Sequence, residues 1–194
     1  MTRLAELQAL VTADRTRMRI LHLVRELELP DCWVAAGFVR SLVWDHLHRR
    51  SHSPLPDDID VIWYDSKQAA PERDASLEVE LHSRDNTLNW SVKNQARMHL
   101  QNADSPYRSS TDAMTNWPET ATAIGVRLDH RGIIEIAAPF GLDDLFELIV
   151  RPTERFSAVE SGVKCAEKHA IYVERVRSKR WQATWPRLMI QQVD

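Results

Sequence analysis

The stretch LPDDIDVIWYD at residues 55–65 constrains the fold most, because it places three acids, Asp57, Asp58 and Asp60, at the front of an apolar run. The run is rich in β-branched and aromatic residues, which is typical of a buried strand. Residues i and i+2 of a strand point to the same face, so Asp58 and Asp60 are predicted to project together while Ile59 faces the core. Two carboxylates held so close repel each other, and a divalent cation such as Mg²⁺ would remove that repulsion because it takes oxygen ligands. The alternative is that the aspartates only end a loop or cap a turn, as Asp often does.

A second pattern lies upstream, where the apolar segment CWVAA at residues 32–36 is followed by Gly37. Apolar residues then recur at four-residue steps from Val39, which predicts a helix over residues 38–49 with Arg40 in its first turn. The start of a helix presents free backbone N–H groups and the positive end of the helix dipole, which together suit a phosphate. A plain strand-to-helix turn with a solvated arginine is the alternative for each feature taken alone. The order strand, glycine, helix, arginine and then an Asp-x-Asp strand is much rarer.

The rest of the chain alternates helical and strand patterns, which predicts an α+β fold with helices packed on a mixed sheet. We expect a single domain over residues 1–194, with a helical N-terminal segment (1–30), a core (32–150) and a helical tail (151–194). The other predicted elements are two helices within 2–28 divided at Asp14, a helix over 71–82, a strand over 90–92, a helix over 109–117, a hairpin turning at Gly132, and helices over 141–150 and most of 156–190.

Composition places the chain among soluble globular proteins, since 43% of its 194 residues are hydrophobic and 27% are charged. The net charge of -3 argues against bulk binding of long nucleic acid, although it leaves room for a local basic groove. The two cysteines, Cys32 and Cys165, lie far apart without metal-ligand spacing, which favours reduced cytoplasmic thiols. We predict a cytoplasmic protein, because no apolar run reaches membrane-spanning length and the N-terminus is too charged for a secretory signal.

One further polar segment is a candidate for ligand contact. The sequence KNQAR places Lys93 and Arg97 four residues apart with two amide side chains between them. Such a dense set of hydrogen-bond donors fits a ligand-facing segment, and it also fits a solvated loop or helix start.

Together these features resemble the nucleotidyltransferase superfamily typified by DNA polymerase beta, CCA-adding enzymes and aminoglycoside nucleotidyltransferases. That family has a strand, a Gly-Gly or Gly-Ser turn into a helix, and then hydrophobic–Asp–hydrophobic–Asp on the next strand. Gly37 matches the first glycine, Val39 and Arg40 match the Val-Arg of CCA-adding enzymes, and residues 58–61 match the carboxylate strand. Phe38 stands where the family has a second Gly or Ser.

The stretches WSVKNQARMH, WPETATAIGVRL and APFGLDDLF resemble a bacterial branch of this superfamily known mainly from genome sequences. The resemblance spans residues 32–190. It indicates membership of the superfamily and carries no information on the acceptor substrate.

The resemblance implies a polymerase beta-like core and metal-dependent transfer of a nucleoside monophosphate from an NTP to an acceptor hydroxyl. It implies two Mg²⁺ or Mn²⁺ ions about 3.5 to 4 Å apart at Asp58 and Asp60, with a third carboxylate from a neighbouring strand completing the first site. We expect that acid to be Glu135 of the IEI strand, since Glu80 lies in a helical pattern and the WSV strand offers no acid. The residues expected to bind the nucleotide are Gly37, Phe38, Arg40, Lys93 and Arg97.

The acceptor stays open between a small hydroxylated metabolite, a protein side chain and an RNA end, with long nucleic acid least favoured by the net charge. The alternative function is a catalytically inactive module of the same fold that binds nucleotide for regulation or interaction.

Overall fold

The computed structural model describes residues 1–157 and 163–191. Its helices are α1 (Arg3–Ala13), α2 (Arg15–Arg25), α3 (Gly37–Leu47), α4 (Pro71–Arg84), α5 (Gln95–Gln101), α6 (Ser110–Met114), α7 (Asp143–Phe146), α8 (Val163–Lys179) and α9 (Trp181–Thr184). Its strands are β1 (Trp33–Ala35), β2 (Ile59–Trp63), β3 (Trp90–Asn94), β4 (Gly125–Leu128), β5 (Ile134–Ala137), β6 (Ile149–Val150) and β7 (Met189–Ile190).

A five-stranded sheet in the order β3-β2-β1-β4-β5 forms the centre of the fold. Strands β2 and β3 are parallel, and the other neighbours are antiparallel. Because β1 and β2 run in opposite directions, with Val34 opposite Val61, the end of β1 lies beside the start of β2. This pairing brings the turn at Gly37 next to the acids that precede β2.

The two faces of the sheet bury different sets of side chains. Ile59, Val61 and Trp63 of β2 belong to the main core, which also contains the buried faces of α1, α2, α3 and α4. Ile62 points the other way, into a smaller cluster with Trp33. Ile59 therefore faces the core, as the period of two predicts, and Asp60 lies on the opposite face.

The α+β fold with a mixed sheet is confirmed, and Asp14 caps α2 by accepting a hydrogen bond from the backbone N–H of Arg17. The predicted helix over residues 141–150 is wrong, because α7 ends at Phe146 and Leu148 adopts a φ of 60°. That left-handed residue redirects the chain, so residues 149–150 form β6 and pair in parallel with β7. None of the helices within the described residues is long and apolar enough to cross a membrane.

Candidate active site

A cavity of about 450 Å³ opens where the start of α3, the loop entering β2 and the C-terminal helices meet. Asp58 and Asp60 line one side of it, and Gly37 lines the floor at the start of α3. Residues of α8 and α9 close the remaining side. The fold thus brings together the two patterns that the sequence analysis singled out.

The turn into α3 lies at Ala36 and Gly37. Ala36 precedes the helix with φ 54° and ψ -119°, a strained conformation for a residue with a Cβ, and its N–H donates to Ile124 O at 2.9 Å. A Cβ on Gly37 would approach Pro56 Cβ to 3.2 Å and Arg40 Nη2 to 3.5 Å, so glycine is needed for close packing. The N-cap residue, Ala36, has no side-chain group that could cap the first turn of α3, which leaves the backbone N–H groups of that turn available to an anion.

Phe38 has a different place from the one predicted. Its side chain is fully buried in the main core, and its carbonyl accepts a hydrogen bond of 2.9 Å from Arg17 Nε. The residue with positive φ at this turn is Ala36, and both Gly37 and Phe38 already belong to the helix.

Arg17 fixes the loop that carries the acids. It is fully buried and donates to Asp14 Oδ2 at 2.5 Å, to Ser53 O at 3.0 Å and to Pro54 O at 3.2 Å. Together with the bond to Phe38 O, these contacts hold the first turn of α3 against the loop before β2.

The two aspartates interact electrostatically. Burial first, and then the charge of Asp58, raise the pKa of Asp60 from its ordinary value of 3.8 to about 6. Arg175, Arg40 and Lys179 oppose this shift because their positive charges face the same carboxylate. The apo protein therefore holds negative charge at a place where it is unfavourable, which is the condition that a bound cation relieves.

Arg40 lies in the wall of the cavity and is only 7% exposed. Its guanidinium stacks between the rings of Trp44 and Trp181, at 5.1 and 4.7 Å from the ring centroids. Nη1 donates to Thr122 Oγ1 at 3.2 Å, while the buried Nε has no hydrogen-bond partner among the residues that the structure describes. Burial lowers the pKa of Arg40 to about 10, and the carboxylate of Glu119 opposes that shift. A buried cation that is incompletely hydrogen-bonded at a cavity wall is suited to an anionic ligand.

Two further cations in the cavity were missed by the sequence analysis. Arg175 and Lys179 lie four residues apart on α8, hence on one face, and both line the cavity. Arg175 is held by a hydrogen bond of 2.7 Å from its Nε to the fully buried carboxylate of Glu119. Lys179 is exposed and forms no ion pair with any residue in the described part of the chain. The i, i+4 spacing of two cations in a predicted helix was the available signal.

Glu135 does not lie at this site. Its strand, β5, is at one edge of the sheet, and both β4 and β1 separate it from β2. The prediction that its strand neighbours the acid strand is therefore wrong. Glu135 instead pairs with Arg127, whose Nε donates to it at 2.6 Å, beside a different cleft.

Lys93 and Arg97 also lie away from the cavity. Because β2 and β3 are parallel, Lys93 is at the far end of these strands from Asp58, where it pairs with Glu78 at 2.9 Å. Arg97 pairs at 2.5 Å with Asp74, a carboxylate that is 2% exposed and also accepts from Trp63 Nε1. Both side chains thus contact neighbouring elements of the fold instead of the pocket.

Replacing Arg97 with methionine should destabilise the protein without changing nucleotide binding. Asp74 would lose its cation but keep its hydrogen bonds from Trp63 and from the backbone of Asn94. We therefore expect a loss of about 3 kcal/mol in the free energy of unfolding, the lower end of the range for breaking a buried ion pair from one side. Urea denaturation measures the loss, and calorimetric titration with Mg²⁺–NTP serves as the second readout. Weaker nucleotide binding without a loss of stability would instead show that Arg97 contacts the nucleotide.

The residues present fit a divalent cation that arrives with a triphosphate. Mg²⁺ is usually bound by one or two carboxylates together with substrate phosphates, and Asp58 and Asp60 offer that number. Among the described residues, no group of three or more His, Cys, Asp or Glu side chains could hold a metal ion. A metal cage made by the protein alone is therefore not formed in this part of the chain.

Comparison with known proteins gives the family. A family model described as nucleotidyltransferase matches residues 22–190. A solved structure described as a CCA-adding enzyme head domain, determined by NMR, is 34% identical, with a TM-score of 0.82 over 97% of this chain and 95% of that chain.

Two CCA-adding enzymes are more distant. One, solved with CTP, is 18% identical with a TM-score of 0.57, and one from Thermotoga maritima, complexed with tRNA, is 15% identical with a TM-score of 0.58. They cover 97% and 96% of this chain, which spans only 43% and 42% of theirs. These two comparisons show a shared fold. No protein with a curated description matches the chain.

Proposed function

Because this chain belongs to the nucleotidyltransferase family, we propose that its pocket transfers a nucleoside monophosphate from an NTP to an acceptor hydroxyl with the help of a divalent cation. The observation that carries this proposal is the opposition of charges across the cavity. Asp58 and Asp60 lie on one side, and Arg40, Arg175 and Lys179 face them. Such an arrangement suits a metal-bound triphosphate, which presents both a cation and several anionic oxygens.

The triphosphate would lie between the start of α3 and the face of α8. The uncapped first turn of α3 supplies backbone N–H groups, and Arg40 Nη2 lies next to Gly37 at the same point. Arg175 and Lys179 approach from the opposite side, on a helix fixed by the contact with Glu119. Guanidinium groups can hold phosphate oxygens through paired hydrogen bonds, so these side chains would position the donor for in-line attack.

Asp58 and Asp60 are the residues that would hold the cation, Mg²⁺ or Mn²⁺. When bound, it would neutralise charge on the phosphates and favour displacement of pyrophosphate. The hydrogen bonds from Arg17 to Ser53 O and Pro54 O hold the loop that leads to both carboxylates, which would limit the reorganisation needed in the reaction.

The mouth of the cavity favours an acceptor that carries phosphate. Residues 46–54 and 175–187 contain seven of the 25 lysines and arginines and none of the 28 acidic residues. The two segments are joined by hydrogen bonds from Arg187 to Leu47 O at 2.7 Å and from Arg50 to Thr184 O at 3.4 Å. This local charge is opposite to the net charge of the chain, so an RNA end is a better candidate acceptor than the average composition implies. The tRNA bound by the Thermotoga maritima relative is in line with this choice.

The proposed activity is tested by following pyrophosphate release from each of the four NTPs with Mg²⁺, in the presence of short RNA oligonucleotides. Release that depends on metal, NTP and oligonucleotide supports transfer. Metal-dependent NTP binding without release, across RNA, protein and metabolite acceptors, would instead support the inactive nucleotide-binding module.

Lys179 gives a clean test of the phosphate-binding face of α8. Lys179→Met should weaken Mg²⁺–NTP binding about tenfold, because one exposed charge-assisted contact is lost while no described residue forms an ion pair with Lys179. The matched control is Arg177→Met, since Arg177 is also exposed on α8 but lies two residues away, on the opposite face. Isothermal titration of both variants makes the comparison, and equal effects would remove α8 from the nucleotide site.

A further inference from the structure

The strand next to the acid pair carries a neutral residue at the position where a third carboxylate would lie. Strands β2 and β3 are parallel, and Asp60 is directly opposite Ser91 in their register. Partners in such a pair lie on the same face, and neighbouring strands are about 4.8 Å apart. Ser91 is therefore the residue of β3 best placed to reach a cation bound by Asp60.

The other neighbouring strand offers no acid either. β1 consists of Trp33, Val34 and Ala35, and it pairs with β2 on the side away from β3. Glu135 is beyond β4, at the edge of the sheet. Within residues 1–157 and 163–191, no third His, Cys, Asp or Glu joins the two aspartates to form a ligand group.

Side-chain cations already occupy the surroundings of Asp60. Arg175, Arg40 and Lys179 are near enough to stabilise its charge, and Arg175 is fixed by Glu119. Arg40 also brings to the cavity wall a buried Nε that no described residue hydrogen-bonds, which independently indicates an anionic ligand at this place. A pair of metal ions about 3.5 to 4 Å apart needs bridging and flanking oxygen ligands. Asp45 and Asp57 also line the cavity, but among the described residues no three of these acids form a group that could hold a metal ion.

We propose that this site binds a single divalent cation together with the triphosphate, and that Ser91 on β3 is the residue that limits it to one. This inference rests on the proposed function, because the triphosphate supplies the remaining oxygen ligands. The side chains of Arg175 and Lys179 supply positive charge near Asp60 in place of a second metal ion.

The number of cations can be counted directly. We would dialyse the protein against Mn²⁺ together with a non-hydrolysable α,β-methylene analogue of an NTP, and repeat this for each of the four NTPs. The amounts of bound nucleotide and bound Mn²⁺ would then be measured. Wild type should bind one Mn²⁺ per bound nucleotide. Ser91→Asp should bind two, because the new carboxylate lies opposite Asp60 on the same face.

Thermal melting gives a second readout that does not depend on nucleotide. In EDTA, Ser91→Asp should melt roughly 2 to 8 °C below wild type, because a third carboxylate crowds Asp58 and Asp60, and Mn²⁺ should restore the loss. Ser91→Asn is the matched control of similar size without charge, and it should bind one Mn²⁺ and melt in EDTA like wild type.

Two Mn²⁺ per bound nucleotide in wild type would overturn the single-cation site while leaving the proposed function intact. A Ser91→Asp protein that still binds one Mn²⁺ per nucleotide would show that Ser91 does not determine how many cations the site binds. Failure of wild type to bind any of the four analogues would overturn the proposed function and the single-cation site together.

Discussion

Asp60→Asn should lose nucleotidyl transfer by about a thousandfold or more and yet be more stable than wild type in EDTA at neutral pH. The loss follows because one of the two carboxylates proposed to hold the cation is removed, and a bound metal ion is worth several kcal/mol of charge stabilisation in the transition state. The gain follows because burial and Asp58 make a charged Asp60 unfavourable in the apo protein. We expect the free energy of unfolding to rise by about 1 to 2 kcal/mol, which raises the melting temperature by roughly 2 to 8 °C for a chain of this length.

The pH dependence of this effect has a definite sign. The pKa of Asp60 is about 6 in the folded protein and 3.8 in the unfolded chain, so the folded state binds the proton more tightly. The contribution of this carboxyl to stability is therefore fully present below about pH 4 and is lost as the pH rises through 6. Wild type and Asp60→Asn should melt at similar temperatures near pH 4. Their melting temperatures should diverge between pH 4 and 6.5, and above pH 6.5 the variant should have the higher melting temperature.

Ligand addition should reverse the order of stability. Saturating Mg²⁺–NTP at about 100 times Kd should stabilise wild type by about 2.7 kcal/mol and the variant much less. Asp57→Asn is the control, because Asp57 belongs to the same acid cluster but is exposed. The structural alternative gives the opposite pattern, since losing a cap costs about 0.5 to 2 kcal/mol with or without metal. An Asp60→Asn protein destabilised in EDTA, beside a wild type indifferent to Mg²⁺ and NTP, would show that the acid serves the fold.

The local parts of the site could be predicted from the sequence because they depend on the spacing of apolar residues over a few positions along a strand or helix. The two-residue repeat of a strand places Ile59 in the core and Asp60 on the other face, and the four-residue steps after Gly37 give α3 with Arg40 near its start. The sequence could not show that Ala36, with its positive φ, forms the turn, since alanine rarely adopts that conformation.

The parts that depend on long-range pairing could not be predicted. Glu135 was expected beside Asp60 because both lie on strands, but the order of strands is set by packing of the whole sheet, which puts β1 and β4 between them. Arg97 appeared free for a ligand because its partner, Asp74, is 23 residues earlier and becomes buried only when α4 packs on β3. Arg175 reaches the site from α8. Its i, i+4 spacing with Lys179 signals a cationic helix face, but no local pattern encodes which part of the fold that face contacts.

Glu119→Gln should cause the largest loss of stability among the variants considered, about 4 kcal/mol in the free energy of unfolding. Glu119 is fully buried, accepts the hydrogen bond from Arg175 Nε at 2.7 Å, and is the main negative charge that supports the protonated form of Arg40. Removing its charge leaves Arg40, which is 7% exposed, with only the weaker attraction of Asp60 and Asp58, and half-buried Arg175 loses its carboxylate. Breaking a buried ion pair from one side typically costs about 3 to 5 kcal/mol.

The control is Glu147→Gln, because Glu147 pairs with Arg3 at a similar distance of 2.7 Å but its side chain is 50% exposed. That surface pair should contribute about 0 to 1 kcal/mol to stability. Urea denaturation of the two variants therefore compares the loss of a buried ion pair with the loss of an exposed one. Inorganic tripolyphosphate should recover part of the loss in Glu119→Gln, since it brings negative charge to the same two arginines. It should do little for Glu147→Gln. A loss below 1 kcal/mol in Glu119→Gln, or one that tripolyphosphate leaves unchanged, would mean that Glu119 does not balance the charges of Arg40 and Arg175 and that the wall facing the acid pair is held together in another way.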